Sequence, residues 1–245
     1  MLKKFFALAA VAAATIVPAQ ALTLAPWNFN SVAADTSAAT GSRIAAIGAG
    51  TASLVGGTTS TLAGGDANGG STDPVTAAMG SNDSGWNTTT YAAQGTGNQS
   101  RGAQFLVDTT GYADVMVSWD QRLSTTTARY TQFQYTTDGT TFVDAASGLF
   151  MGAAGDTWYN SRSVDLSGVA GTANNANVGV RIVAAFAPTS SGYVAASTSS
   201  HYATTGSNRF DRVTVNVTAV PEPESDAAML AGLGAIGLLV DRRRT

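Results

Sequence analysis

The chain has 245 residues, with 13 Lys and Arg against 16 Asp and Glu, one His and no Cys. Without cysteine, a disulfide framework, a thiolate metal site, an iron–sulfur cluster and a thiol nucleophile are excluded. A formal charge of −3 argues against a nucleic-acid binder, whose affinity comes from neutralising phosphates. Charge is also segregated by position: the only Lys are Lys3 and Lys4 and the only Glu are Glu222 and Glu224, so residues 22–219 carry 8 Arg and 12 Asp, a net of −4.

Residues 1–21 read as a secretory signal peptide. Lys3 and Lys4 form its basic start, and Phe5 to Val17 form an apolar run too short to span a bilayer. Ala19-Gln20-Ala21 places small residues at the two positions a signal peptidase reads, so cleavage is expected after Ala21. Trp27-Asn28-Phe29-Asn30 is expected to be a first strand. The segment 47–73 is rich in Gly, Thr and Ser with few large apolar residues, and reads as a long loop or weak, exposed strands. After it the signal is alternation. Val115, Val117 and Trp119 share one face, Phe133 and Tyr135 alternate with Gln132 and Gln134, Val178 to Phe186 has period two, and so do Val213, Val215 and Val217. Asp138-Gly139 marks a hairpin turn. Strands without interleaved helical patterns predict an all-β fold, an antiparallel β-sandwich over residues 22–219.

The last segment, 220–245, is a second transport signal. Val220-Pro221-Glu222-Pro223-Glu224 is stiff, because its prolines lack amide donors and have fixed φ. Residues 227–240 carry no charge. As a helix they reach roughly 21 Å, short of a hydrocarbon core of about 30 Å, so Arg242, Arg243 and Arg244 must help by reaching the interface. Their charge keeps this end cytoplasmic and leaves 22–219 exported. Gly232-Leu233-Gly234-Ala235-Ile236-Gly237 has dinucleotide-binding spacing, but too little chain follows it for the required helix and acidic residue. The order Val220-Pro221-Glu222-Pro223, short apolar transmembrane span and Arg242-Arg243-Arg244 resembles the PEP-CTERM sorting signal of Gram-negative surface proteins. That resemblance implies signal peptidase and an exosortase as processing partners. It also implies an inner-membrane-anchored intermediate, and delivery to the cell surface or extracellular matrix.

A second, looser resemblance covers Ser163-Val164-Asp165-Leu166-Ser167, Asn174-Asn175, Val178 to Ile182 and Arg209-Phe210-Asp211-Arg212-Val213. These stretches are similar to the late strands of galactose-binding-like jelly rolls. In those modules an acidic residue at the start of the last strand often helps to hold a structural calcium with groups from the first strand. Asp211, with Asn28 or Asn30, occupies the matching positions; the alternative is an ion pair of Asp211 with Arg209 or Arg212.

Catalytic material is scarce. His201 stands in a polar loop-like stretch with no nucleophile elbow in the sequence, and the exported part has no Glu for a glycosidase pair or an H-E-x-x-H site. An enzyme is not expected, an Asp-dependent hydrolase being the remote alternative. The favoured reading is a non-enzymatic surface or matrix protein without a cofactor, a structural calcium at Asp211 being the less favoured option beside the ion pair. The alternative is a module that binds extracellular polysaccharide through Trp86, Tyr91, Trp158 and Tyr159, which lie in polar or Gly-flanked surroundings; the other reading of these rings, and the favoured one, is that they cap the core or cover the ends of the sandwich.

Overall fold

The computed structural model describes residues 20–33, 35–66, 69–73 and 83–220. The sorting segment from Pro221 onward and the signal peptide up to Ala19 lie outside the described residues. The described chain is all β, with eleven strands: β1 Ala21–Trp27, β2 Gly50–Val55, β3 Thr59–Gly64, β4 Ser84–Thr89, β5 Gly102–Val107, β6 Tyr112–Leu123, β7 Tyr130–Thr136, β8 Val143–Met151, β9 Thr157–Asp165, β10 Val178–Ala185 and β11 Asn208–Ala219. Among these residues no helix is long and apolar enough to cross a membrane.

The strands form two antiparallel sheets stacked as a jelly-roll-like sandwich. One has the order β3-β4-β11-β6-β9, with β1 also paired to β11; the other is β2-β5-β10-β7-β8. The alternating apolar positions of the sequence line the space between them: Val115, Val117 and Trp119 on β6, Phe105 on β5, Phe133 on β7, Val180 and Ile182 on β10, and Val213, Val215 and Val217 on β11 are all buried. Aromatic rings join the layers. Trp119 stacks on Phe133 at 5.3 Å and meets Phe150 edge-on at 4.9 Å. Trp27 and Trp86 both pack on Phe105, at 5.0 and 6.0 Å.

One feature differs from the expectation, and for segment 47–73 the second of its two readings, weak strands, holds over part of its length. The first strand begins earlier, at Ala21, and ends at Trp27; Phe29 is fully buried but has φ 57°, a left-handed backbone that cannot continue a strand. Segment 47–73 is not a loop throughout. Its Ala, Ser, Thr and Leu residues form β2 and β3, which border opposite sheets by pairing with β5 and β4. Edge strands need few large residues, because only one neighbour packs against them.

The long strand β11 is shared along one side. Residues Asn208 to Phe210 pair with β4, whereas Val213 to Thr218 pair with β1. Asp211 and Arg212 fall between the two, where the register with β6 also shifts and Arg212 has φ 44°. The candidate metal centre lies there. Because Trp119 bridges both sheets, Trp119→Ala should cost roughly 3–5 kcal/mol of unfolding free energy, read as a lower urea midpoint at constant m-value.

Candidate metal centre and ligand face

At the gap in β11, three carboxylates from distant parts of the sequence converge. Each of Asp73, Asp83 and Asp211 offers an oxygen within 4.8 Å of the others. The bulge at Asp211–Arg212 sets Asp211, Asp83 immediately precedes β4, and Asp73 follows β3 on a loop tied down at several points. Thr72 donates its amide and its hydroxyl to Asp120 Oδ2, at 2.5 and 2.7 Å. The Asp120 carboxylate also accepts the Ser161 amide at 2.6 Å, and Arg212 Nη1 donates to the Thr72 carbonyl and hydroxyl. Asn30 acts as a brace: its Nδ2 donates to Asp73 Oδ2 at 2.7 Å, while its Oδ1 accepts the Ser84 amide at 2.8 Å. Asn28 in turn accepts the Asn30 amide.

Asp83 and Asp211 are 2% and 0% exposed, yet Asp83 Oδ1 and Asp211 Oδ2 have no hydrogen-bond donor among the described residues. Both oxygens point at the α-carbon of Gly65, where a Cβ would sit 2.4 Å from the first and 2.6 Å from the second. Only glycine lets the pair close in this way. Burial, reinforced by the neighbouring carboxylates, lifts Asp83 to about 6 and Asp211 well above the ordinary carboxylate range. Asp73 is raised as well, chiefly by desolvation, with Asn30 opposing.

These residues suit a hard, oxygen-seeking cation. Two oxygens on one calcium, each bonded at about 2.3–2.6 Å, lie at most about 5 Å apart, and the cluster is within that limit. Asp211 was legible from its resemblance to the last strand of jelly rolls. Asp73 and Asp83 were not, because nothing local marks either as a ligand. Asn30 serves the site as a brace, its side-chain oxygen being taken by Ser84. The ion pair weighed for Asp211 does not form: Arg209 donates to the Gly64 carbonyl, Arg212 turns to Thr72, and the only ion pair among the described residues is Arg122–Asp156.

The four aromatic residues expected as ligand contacts are not open platforms. Trp86, Tyr91 and Trp158 are 1%, 2% and 8% exposed. Trp86 belongs to the main core, and Tyr91 closes a smaller cluster with Ala128, Ala184 and Tyr193. Burial pushes the Tyr91 hydroxyl up to about 12, against hydrogen bonds from Thr88 and Asn208. Tyr159 is half-buried, with its hydroxyl held by Ala154 and the Arg162 guanidinium 4.7 Å over its ring. In a strand, polar neighbours at i±1 belong to the opposite face, so a polar flank signals alternation, not exposure.

A polar row lies instead on the outside of the five-stranded sheet, with Asp144 exposed, Ser53, Gln104 and Arg181 half-buried and Gln134 buried. The registers place Ser53 (β2), Gln104 (β5), Arg181 (β10), Gln134 (β7) and Asp144 (β8) in one row, one residue per strand. All are turned away from Phe105, Val180 and Phe133 by the pleat. Arg181 Nε donates to Gln104 Oε1 at 2.7 Å, and its Cζ is 3.6 Å from the Phe142 ring centroid. Gln134 Nε2 donates to Asp144 Oδ1 at 2.9 Å, and Gln99 Nε2 to Asp144 Oδ2 at 3.1 Å.

No family model and no curated protein sequence matches the chain. Among solved structures it is similar to the CBM22-1 xylan-binding domain from Paenibacillus barcinonensis Xyn10C, at 8% identity and a TM-score of 0.36, over 69% of this chain and 87% of that one. It is also similar to the N-terminal CBM22-1-CBM22-2 tandem domain of the same protein, at 9% identity and a TM-score of 0.43, over 86% of this chain and 49% of that one. The chain thus spans about half the length of the tandem.

The carboxylate cluster gives stability a pH dependence whose sign is set by the cation. Without one, the folded pKa of Asp83 (about 6) and that of Asp211 exceed the unfolded value of about 3.9. Folding then takes up protons, so this contribution is fully present below the unfolded pKa and is lost as pH rises through about 6. In chelator, the melting temperature should be higher at pH 5 than at pH 7.5. With calcium saturating, the carboxylates must be ionised and the order should reverse. Equal melting temperatures at the two pH values in chelator would count against the cluster.

Proposed function

We propose that this is an exported, non-enzymatic binding module. In this reading a calcium ion at Asp73, Asp83 and Asp211 locks the sandwich, and the outer face of the five-stranded sheet holds an extracellular polysaccharide. The observation that carries the binding reading is the row Ser53–Gln104–Arg181–Gln134–Asp144. Amide, hydroxyl, guanidinium and carboxylate groups on five adjacent strands, about 4.8 Å apart, extend over about 19 Å. That is room for several sugar units. Such groups match the donors and acceptors of sugar hydroxyls, and Phe142 beside Arg181 adds apolar surface. No catalytic step is assigned: His201 is exposed on a loop.

The cation would be held by the three Asp carboxylates, with Asn30 orienting Asp73 and the Ser71 hydroxyl donating to Asp83 Oδ2 at 3.5 Å and accepting the Asp73 amide. When bound, it neutralises carboxylates that otherwise repel one another, and so fastens the loop after β3 and the start of β4 to the middle of β11. The role is structural.

The ends of the chain keep their reading as transport signals. Signal peptidase would cut after Ala21, and the segment from Val220 onward would engage the membrane and an exosortase before delivery to the surface or matrix. What supports this reading is where the two ends leave the body. Leu22, first after the cut, pairs with Val217, and the Val220 amide closes β11 by donating to the Gly111 carbonyl. Both signals therefore emerge at one corner, so the protein could be tethered and released from a single side.

Two measurements test the proposal. Calcium at about a hundredfold over its Kd should stabilise by roughly 2.7 kcal/mol, a rise in Tm of roughly 5–10 °C for a domain of this size, reversed by EDTA. Asp211→Asn should abolish that rise and, by relieving repulsion, melt higher than the wild type in EDTA. A Tm indifferent to both calcium and EDTA removes the ion. For the ligand, affinity electrophoresis through gels containing soluble polysaccharides should retard the protein in at least one of them. Phe142→Ala should weaken that retardation about tenfold with its Tm little changed. Free migration through every polysaccharide sinks the binding reading.

A further inference from the structure

The row on the five-stranded sheet has one cation, and its setting identifies the class of sugar it would take. Arg181 stands on β10, the central strand of the five. Two contacts fix its guanidinium: the Nε–H bond to Gln104 Oε1 at 2.7 Å and the Phe142 ring against its plane at 3.6 Å. Both use the inner part of the group. Among the described residues, Nη1 and Nη2 have no hydrogen-bond partner, and no carboxylate pairs with the group. The side chain is half-buried, so water competes less for its charge than at a fully exposed site.

The acidic member of the row is disarmed. Asp144 is two strands from Arg181, about 10 Å away at ordinary strand spacing. Its two oxygens are already engaged, Oδ1 by Gln134 and Oδ2 by Gln99. The amides of Gln134 and Gln99 thus stand where a second arginine would be needed to balance the charge. They leave Arg181 free, and Gln134 also separates it from the carboxylate that could have neutralised it. A guanidinium preoriented by a ring and an amide, with its terminal NH2 edge open, is a fork for a planar anion.

We propose that the polysaccharide is acidic, a polymer of carboxylate-bearing sugars such as uronates, with one sugar carboxylate seated bidentate on Nη1 and Nη2 of Arg181. The inference rests on the reading of this face as the carbohydrate site. Gln104 and Ser53, both partly exposed, would take hydroxyls of the same and flanking sugars.

Short oligosaccharides test this without gel formation. Tetragalacturonate, its methyl ester and neutral xylotetraose are titrated calorimetrically into the full chain at fixed calcium. Tetragalacturonate should bind about 10- to 100-fold more tightly than its ester, the range of a charge-assisted bidentate contact, and should weaken as NaCl is raised. Arg181→Gln should erase the preference for acid over ester, whereas Arg122→Gln, on β6 of the other sheet and outside the metal centre, should leave it intact. Gln104→Glu supplies Arg181 with an internal carboxylate while keeping its shape and should erase the preference too, which guards against a misfolded Arg181 variant. If acid and ester bind equally, or if Arg181→Gln keeps the preference, the acidic assignment is wrong while the carbohydrate face stands. If none of the three ligands binds and the polysaccharide gels also fail to retard the protein, the face itself is wrong.

Discussion

The fold turns on two buried carboxylates that face one another across the α-carbon of Gly65. Asp83 Oδ1 and Asp211 Oδ2 receive no hydrogen bond among the described residues, and burying such oxygens without a partner or counter-charge is costly. They stand where β11 changes partner from β4 to β1. A single divalent charge at that point would bind the end of β3, the start of β4 and the bulge of β11 into one unit. Without it the pair must hold protons to stay buried. The gap in the sheet and the convergence of acid groups are one design: a strand shared by two short partners needs something to close the break between them.

The unusual charge composition has a physical reason of the same kind. Between residues 22 and 219, acidity comes from Asp alone, and many of these residues serve the backbone. Asp35, Asp108, Asp138 and Asp165 each accept the amide two residues on, a turn that the shorter side chain makes easily. At Asp138, the amides of Thr141 and Thr140 hold the carboxyl well below its usual range. Arginine is likewise used for its geometry. Arg162 lies between the sheets and donates to Gln121 Oε1 and the Met151 carbonyl, between the rings of Tyr159 and Phe150. Desolvation draws its pKa down to about 10, still charged at neutral pH. A lysine could not offer this flat, multidonor group.

Much of the sandwich was legible in the sequence because period-two alternation reports burial directly. The runs at Val115–Trp119, Phe133–Tyr135, Val178–Ile182 and Val213–Val217 all lie in strands with those residues inward. The strands β2 and β3 were obscured by their Gly, Thr and Ser, which suffice at an edge. The aromatic residues left two readings open for a related reason: the polar neighbours of Trp86 and Trp158 occupy the opposite face of their strands, and burial decides for the core. Gln132 and Gln134 were visible as the outward partners of Phe133 and Tyr135. Their alignment with Gln104 and Arg181 was not, because register between strands is a tertiary property. The same holds for the metal centre, where Asp73 and Asp211 are separated by most of the sandwich in sequence.

The two sites lie on opposite sheets, yet they share one stack of rings. Trp27 ends β1 and Trp86 sits in β4, the two strands that flank the carboxylate gap. Both pack on Phe105 of β5, which immediately follows Gln104 in the polar row. Gln104 in turn orients Arg181 through its side-chain oxygen. Closing the gap therefore fixes the strands that support Phe105, and Phe105 holds the segment of β5 from which Gln104 reaches the guanidinium. A fork for an anion is useful only if it is already in place before the ligand arrives, since ordering it on binding would cost affinity. In a sandwich without disulfides, an ion at the carboxylate gap on one sheet would add its rigidity to that of the aromatic rings through the core, which support the proposed binding row on the other.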